Sequence, residues 1–93
     1  MYVVSYDIEK DKIRNKVAKK LEDFGRRVQY SVFECRINES QFNRLYEGLA
    51  ELMAKEENGN IRFYNICKNC ESKIITIGIE KESMIEDDGP VII

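Results

Sequence analysis

The first eleven residues constrain this chain most, because they place a carboxylate at the tip of a strand. A run rich in β-branched and aromatic residues predicts a strand from Tyr2 to Asp7. A charged turn and the start of an amphipathic helix follow. A strand tip gives a carboxylate little positional freedom, which suits an acid used for metal or proton chemistry. We therefore interpret the rest of the chain as a scaffold around Asp7.

The remaining elements follow from hydrophobic periodicity and turn signals. The sequence predicts a helix over residues 11–24, a long strand over 27–36, a helix from the cap Asn38 to about residues 55–57, a strand over 61–67, a turn over 68–72 and a strand over 73–79.

Although these segments alternate as strand, helix, strand, helix, strand, strand, we assign the chain to the ferredoxin-like pattern of an α+β fold, whose order is strand, helix, strand, strand, helix, strand (βαββαβ). This pattern implies a four-stranded antiparallel sheet with both helices on one face. The other face is bare in a single copy and would carry Phe33 or Val32, depending on register. A bare apolar face on a domain with a thin core predicts a face-to-face homodimer.

Local signals mark the ends of both long helices. Asp11 is expected to cap the first helix, and Gly25 to take the left-handed position after its end. Asn38 is expected to cap the second helix, with Gln41 as its capping-box partner.

The chain is short enough for one domain, with 93 residues, of which 43% are hydrophobic and 34% charged. Residues 1–79 are predicted to form the ferredoxin-like domain. Residues 80–93 open acidic and finish on three apolar residues after a Gly-Pro break. This tail is expected to be an extra strand, either within the same domain or swapped onto the partner of a dimer.

Several classes of protein are disfavoured by what the sequence lacks. Met1 leads directly into a strand, so no signal peptide is expected, and no apolar run approaches the ~20 residues of a membrane span. Three cysteines are an odd number, and we expect reduced thiols in a cytoplasm. The absence of histidine removes the usual general base and the commonest zinc ligand.

Charge is distributed unevenly along the chain. Residues 10–36 hold nine Lys or Arg against four Asp or Glu, whereas the remainder holds six against thirteen. Such a basic region permits polyanion binding, and an ordinary solvated helix face is the alternative. Arginines at the start of the long strand suit phosphate binding. The basic set comprises Arg14, Lys16, Lys19, Lys20, Arg26 and Arg27.

Asp7 alone could be only a cap or turn residue. A two-fold axis near this strand end would bring two copies of Asp7 together, and two such charges need a cation or a shared proton. Mg²⁺ suits the pair, because it accepts one or two carboxylates and keeps its waters. Ser5 and Tyr6 could position phosphate or water, although a plain strand residue and a core aromatic are the alternatives.

The cysteine pair Cys67 and Cys70 has the CxxC spacing of metal and redox sites. Zinc needs four ligands, and only Cys35 remains. A redox pair would normally open a helix after a strand, whereas this pair is predicted to lie in a turn between strands. We expect ordinary reduced cysteines, with a metal shared between two chains as the alternative.

Residues 2–8 (YVVSYDI) and 25–35 (GRRVQYSVFEC), together with Arg14, Leu21 and the chain length, resemble one known family. It is the small CRISPR-associated endoribonuclease of the spacer-acquisition module, the "Cas two" family. The resemblance implies an antiviral role, a ferredoxin-like homodimer whose first-strand aspartates share Mg²⁺, and metal-dependent cleavage of RNA or double-stranded DNA. It also implies a complex in which this dimer bridges two dimers of the "Cas one" integrase.

By this resemblance Asp7 is the catalytic metal ligand, whereas the Cys67/Cys70 pair is not part of the family pattern and is assigned no role. Together with the arginines of the basic set, the expected supporting or nucleic-acid-binding residues are Tyr6, Arg14, Arg26, Arg27, Ser31 and Phe33.

Other functions remain open from sequence. A non-catalytic architectural subunit that holds protospacer DNA needs the same basic surface and the same dimer. A toxin-like ribonuclease of this fold and a small-molecule-binding regulatory domain are further alternatives.

Overall fold

The computed structural model describes residues 1–78 and contains four strands and three helices. In chain order the elements are β1 (Tyr2–Asp7), α1 (Asp11–Glu22), β2 (Arg26–Gln29), β3 (Val32–Cys35), α2 (Glu39–Met53), β4 (Asn60–Asn65) and α3 (Lys68–Glu71).

The four strands form one antiparallel sheet in the order β2-β3-β1-β4. Strand β1 is central, and its Val4 pairs with Phe33 on one side and Phe63 on the other. Buried residues of α1 and α2 join the inward face of the sheet in one cluster. The predicted α+β, ferredoxin-like βαββαβ fold is confirmed.

The long strand predicted over residues 27–36 is wrong in detail, because the structure divides it into the hairpin β2–β3. Tyr30 and Ser31 form the two-residue turn, and the β2–β3 register shifts between Arg27 and Gln29. The turn lacks the Gly or Asn that usually marks a tight hairpin. Because apolar residues also alternate across it, the sequence predicted one continuous strand. The hairpin supplies both strands that the βαββαβ order requires between the helices.

The strand predicted over residues 73–79 is also wrong for its described part. Residues 73–78 have no regular structure, and the turn predicted over 68–72 is the short helix α3. The isoleucines here alternate as in a strand, but a strand needs a neighbour for its backbone hydrogen bonds. Ile79 and the predicted C-terminal strand over residues 80–93 lie outside the described residues, so the domain division stays a prediction.

One face of the sheet is apolar, and it forms the centre of the core together with α1 and α2. Phe33 is fully buried under the helices, whereas its neighbour Val32 pairs with Ser5 and lies on the opposite, helix-free face. The register therefore gives Val32 to the open face. The buried core residues are Val4, Tyr6, Ile8, Val17, Ala18, Leu21, Phe33, Cys35, Leu45 and Leu49.

Two of the three predicted helix-end features differ in the structure. Asp11 was expected to be the N-cap of α1, but it is the first residue of the helix, and its carboxylate pairs with Arg14. Lys10 is the N-cap residue, and its side chain makes no capping hydrogen bond. Gly25 does not have positive φ. Glycine is required at this position because the backbone passes close to β3: a Cβ there would lie 2.3 Å from the Glu34 carbonyl oxygen. The capping box of Asn38 is confirmed.

Candidate functional site

Asp7 ends the central strand and lies opposite Asn60 of β4. It is exposed, and alternation along β1 places it on the same face as Ser5, the face without helices. Within residues 1–78 its carboxylate has no ion-pair partner. An exposed, unpaired carboxylate on a rigid strand end can bind a cation or accept a proton.

The backbone next to Asp7 is held from two sides. Arg14 donates from Nη1 to the carbonyl oxygens of Ile8 at 3.1 Å and Glu9 at 3.2 Å, and its other terminal nitrogen pairs with Asp11. The hydrogen bond to Asp11 raises the pKa of Arg14, so the guanidinium keeps its charge. One side chain thus fixes the loop that follows Asp7 to the first turn of α1.

Gly59 holds the other side of the same strand end. Its φ is +96°, and a Cβ would lie 2.9 Å from the Asp7 carbonyl oxygen. The turn into β4 can therefore pass directly against Asp7 only with glycine at this position. The Asn58-Gly59 turn signal was visible in the sequence, but its contact with Asp7 was not.

Tyr6 is a buried, neutral phenol beside this strand end. Its side chain is 5% exposed, and its hydroxyl donates to the Tyr30 carbonyl oxygen at 3.3 Å. Burial raises the pKa of Tyr6, although the charge of Arg27 and a hydrogen bond from it act in the opposite direction. Its burial therefore places the Tyr6 side chain in the core beside the strand end.

The β2–β3 hairpin brings several predicted site residues together around Tyr6. The Arg27 guanidinium carbon lies 5.2 Å from the ring centroid of Phe33 and 5.8 Å from that of Tyr30. The Ser31 carbonyl oxygen accepts a hydrogen bond of 3.1 Å from the Tyr6 backbone N–H. Tyr30 was missed from sequence, because its contacts depend on a turn that carried no recognisable signal.

Two arginine nitrogens in this region lack partners among the described residues. The Nε atoms of Arg14 and Arg27 are buried and make no hydrogen bond. A buried unsatisfied donor costs about 1–3 kcal/mol. Both guanidinium groups therefore lack complete hydrogen bonding within the described residues.

Arg26 does not belong to the Tyr6 cluster. It lies opposite Glu34 in the β2–β3 register, and the two side chains form an ion pair of 3.8 Å. The exposed lysines Lys16 and Lys19 lie on α1. Of the predicted supporting residues, the structure groups Tyr6, Arg27, Ser31 and Phe33 and leaves Arg26 outside that cluster; the functional role of each stays a prediction.

A second basic feature lies at the opposite end of the sheet. A cleft of about 550 Å³ beside α1 and α2 is lined by Lys20, Arg36 and Arg44, with Asp23 as its one acidic group. Arg36 follows Cys35, which pairs with Tyr2 at the far end of β1 from Asp7. The cations of this cleft are therefore separate from the Asp7 site.

The described residues offer the Asp7 carboxylate as a candidate metal ligand at the end of β1. Within the described part of the chain no three His, Cys, Asp or Glu side chains form a group that could hold a metal ion. Mg²⁺ accepts as few as one or two carboxylates and fills its other positions with water. The Asp7 carboxylate, which has no ion-pair partner within residues 1–78, is therefore a donor of the type that Mg²⁺ accepts.

The fold and the strand-end acid define a ferredoxin-like protein with a candidate cation-binding carboxylate. The chain belongs to the Cas2 family, since the family model described as CRISPR associated protein Cas2 matches residues 1–74. A relative from Methanospirillum hungatei, named CRISPR-associated endoribonuclease Cas2 2, is 43% identical over 76 residues, which cover 82% of this chain and 83% of the relative.

Solved structures show the same likeness. Streptococcus pyogenes Cas2 at pH 6.5 superposes with a TM-score of 0.71 and 34% identity, covering 83% of this chain and 98% of that one. A chain in a partial Cas6-RT-Cas1–Cas2 complex gives a TM-score of 0.70 and 35% identity, covering 82% of each chain. In residues 1–78 no helix has the length and apolar character to cross a membrane.

Proposed function

We propose that this protein is a Mg²⁺-dependent endonuclease that cleaves phosphodiester bonds of RNA or double-stranded DNA during CRISPR spacer acquisition. The observation that carries the proposal is the exposed, unpaired carboxylate of Asp7 at the end of the central strand of a Cas2-family chain. The names of the relatives, which include CRISPR-associated endoribonuclease and endonuclease, support this reaction class.

In the proposed site Asp7 from each of two copies holds the ion. When bound there, Mg²⁺ would lower the pKa of a coordinated water molecule and offset negative charge on the phosphate. The protein's own contribution is placement. Arg14 fixes the loop after Asp7, and Tyr6 stays neutral and packed beneath the hairpin. With no histidine in the chain, no imidazole is available as a general base.

A homodimer is part of the proposal, because one copy provides one carboxylate. Val32 and Ser5 lie on the helix-free face of the sheet, where a second copy could cover them. Ile75 and Ile77 are 87% and 98% exposed, and apolar side chains this exposed favour a partner surface.

Nucleic acid is the substrate class that the charge distribution favours. The basic stretch of residues 10–36 includes both arginines of the hairpin strand and the exposed lysines of α1. Arginine forks match phosphate oxygens, and binding of this kind weakens as salt rises.

The second candidate function is architectural, and the likeness to a Cas2 chain in a complex with Cas1 favours it. In that role the dimer would bridge two integrase dimers and hold protospacer DNA without cutting it. Basic surface and dimer geometry serve either role.

The test is Asp7→Asn, with Glu9→Gln as a matched control on an exposed acid two residues away. Both variants are assayed with RNA and with double-stranded DNA in Mg²⁺ and in EDTA. We expect Asp7→Asn to lose activity by at least about 10- to 100-fold, since removal of a metal's supporting partners alone costs that much. Glu9→Gln should cleave normally.

Unchanged cleavage by Asp7→Asn would show that the proposed site is wrong. Spacer acquisition in cells then separates the two candidate functions. If acquisition continues when cleavage is lost, the architectural role is the physiological one.

A further inference from the structure

The cysteine pair lies in a setting that the sequence did not predict. Helix α3 follows strand β4, and Cys67 is its N-cap residue. The backbone N–H of Cys70 donates to Cys67 Sγ at 3.3 Å. Both thiols are exposed. The arrangement of a strand followed by a helix that begins at a CxxC pair is the one expected of a redox pair rather than of ordinary turn cysteines.

The chain around the pair is fixed at both ends. Met1 and Ile66 exchange two backbone hydrogen bonds, of 3.1 Å and 2.7 Å. Glu71 forms an ion pair with Arg36, and its N–H donates to the Cys67 carbonyl oxygen at 2.8 Å. The two cysteines are therefore held at the start of α3, with Cys67 as its N-cap and Cys70 within the helix.

The two thiols differ in acidity because of these contacts. Hydrogen bonds from the Cys70 backbone N–H and from the Cys70 thiol lower the pKa of Cys67. The same thiol contact raises the pKa of Cys70. A four-residue helix contributes little dipole, so the donors themselves are the cause. Cys67 is suited to attack as a thiolate, and Cys70 to resolve a mixed disulfide.

Cys35 offers an internal contrast. It is fully buried, and burial raises its pKa to about 11. It is therefore neither accessible nor ionised at neutral pH.

We propose that Cys67 and Cys70 form a reversible dithiol–disulfide site whose co-substrate is a low-molecular-weight disulfide. The Cys67 thiolate attacks one sulfur of that disulfide, forms a mixed disulfide and releases one thiolate. Cys70 then loses its proton to solvent and attacks Cys67 Sγ, which closes the Cys67–Cys70 bond and releases the second thiol. The protein gives up two electrons and two protons, and the small disulfide is reduced to two thiols.

A disulfide fits this site better than a metal ion does. No third sulfur, carboxylate or imidazole joins the pair within the described residues. The contact of 3.3 Å between the Cys70 backbone nitrogen and Cys67 Sγ places this sulfur directly against the residue that carries the second thiol, which suits an intrachain bond.

The experiment uses the full chain in glutathione buffers of increasing oxidised-to-reduced ratio, followed by acid quenching, alkylation of free thiols and intact mass measurement. We expect the number of free thiols to fall from three to one, with loss of the mass of two hydrogens and no added glutathione. The Cys35→Ser variant should lose the same two thiols.

Single variants test the order of attack. In Cys67→Ser the serine hydroxyl can accept the hydrogen bond from the Cys70 backbone N–H in place of the sulfur, so α3 keeps its N-cap. Cys70→Ser should stop at one glutathione bound to Cys67, and Cys67→Ser should react more slowly at Cys70. Three free thiols in excess oxidised glutathione would overturn the proposal, as would stable mixed disulfides on both cysteines or cross-links between chains.

Discussion

At the scale of single residues, the position of Asp7 depends on Arg14, which is nearby in the sequence, and on Gly59, which is distant in it. Its place at a strand end follows from local composition and was predictable. The glycine that passes against its carbonyl oxygen and the arginine that fixes the following loop are set by tertiary packing. The grouping of Tyr6 with Tyr30 and Arg27 was not predictable, because it depends on where the β2–β3 hairpin turns.

We expect the buried thiol of Cys35 to make the free energy of unfolding depend on pH in the alkaline range. Its pKa is raised from 9.0 to about 11 in the folded protein by burial. Above about pH 9 the unfolded chain releases this proton while the folded chain retains it, so the free energy of unfolding is constant below that pH and falls as pH rises towards 11. A shift of this size corresponds to about 3 kcal/mol.

Urea unfolding of wild type and Cys35→Ala under reducing conditions measures this effect. The variant should start less stable because of its cavity, but its unfolding free energy should fall less between about pH 9 and 11. Parallel pH profiles for the two proteins would contradict the expectation.

At the scale of elements, Gly25 allows the junction between α1 and the hairpin to close. In Gly25→Ala the new methyl would lie 2.3 Å from the Glu34 carbonyl oxygen and 2.6 Å from Cys35 Sγ. Because both are fixed parts of β3, we expect a loss of about 1–3 kcal/mol in unfolding free energy.

Gly48→Ala is the matched control. Gly48 lies within α2, and a methyl there would meet only the flexible end of Lys20. Alanine favours a helix over glycine by about 0.5–1 kcal/mol, so this variant should be as stable as wild type or more stable. Equal losses in the two alanine variants, measured by urea unfolding, would argue against the close approach at Gly25.

Some of the strands and helices could be predicted from the sequence, and others could not. The long helices and β1 were predictable because their apolar periodicity and the Asn38 capping box are local. The hairpin was missed because its Tyr-Ser turn resembles strand sequence. The described part of the strand predicted over residues 73–79 was overpredicted, because alternating isoleucines indicate strand propensity whereas strand pairing depends on an available neighbour.

At the scale of the whole molecule, the exposed isoleucines predict association. Ile77 is 98% exposed, and we expect Ile77→Asp to weaken the proposed homodimer because it places a charge in an apolar contact. Thr76→Asp adds the same charge at the neighbouring exposed position and serves as the control. Sedimentation equilibrium should show a larger rise in the dimer dissociation constant for Ile77→Asp; equal effects of the two variants would contradict this contact.

The central claim is that Asp7 is half of a metal site that belongs to two copies of the chain. Its most direct test is Mg²⁺-dependent cleavage by mixed dimers, prepared by co-expression of wild type and Asp7→Asn with different affinity tags. If the two carboxylates share one site, the mixed dimer should be as inactive as the doubly substituted dimer. Activity near half that of the wild-type dimer would contradict the claim, because each copy would then hold a complete site.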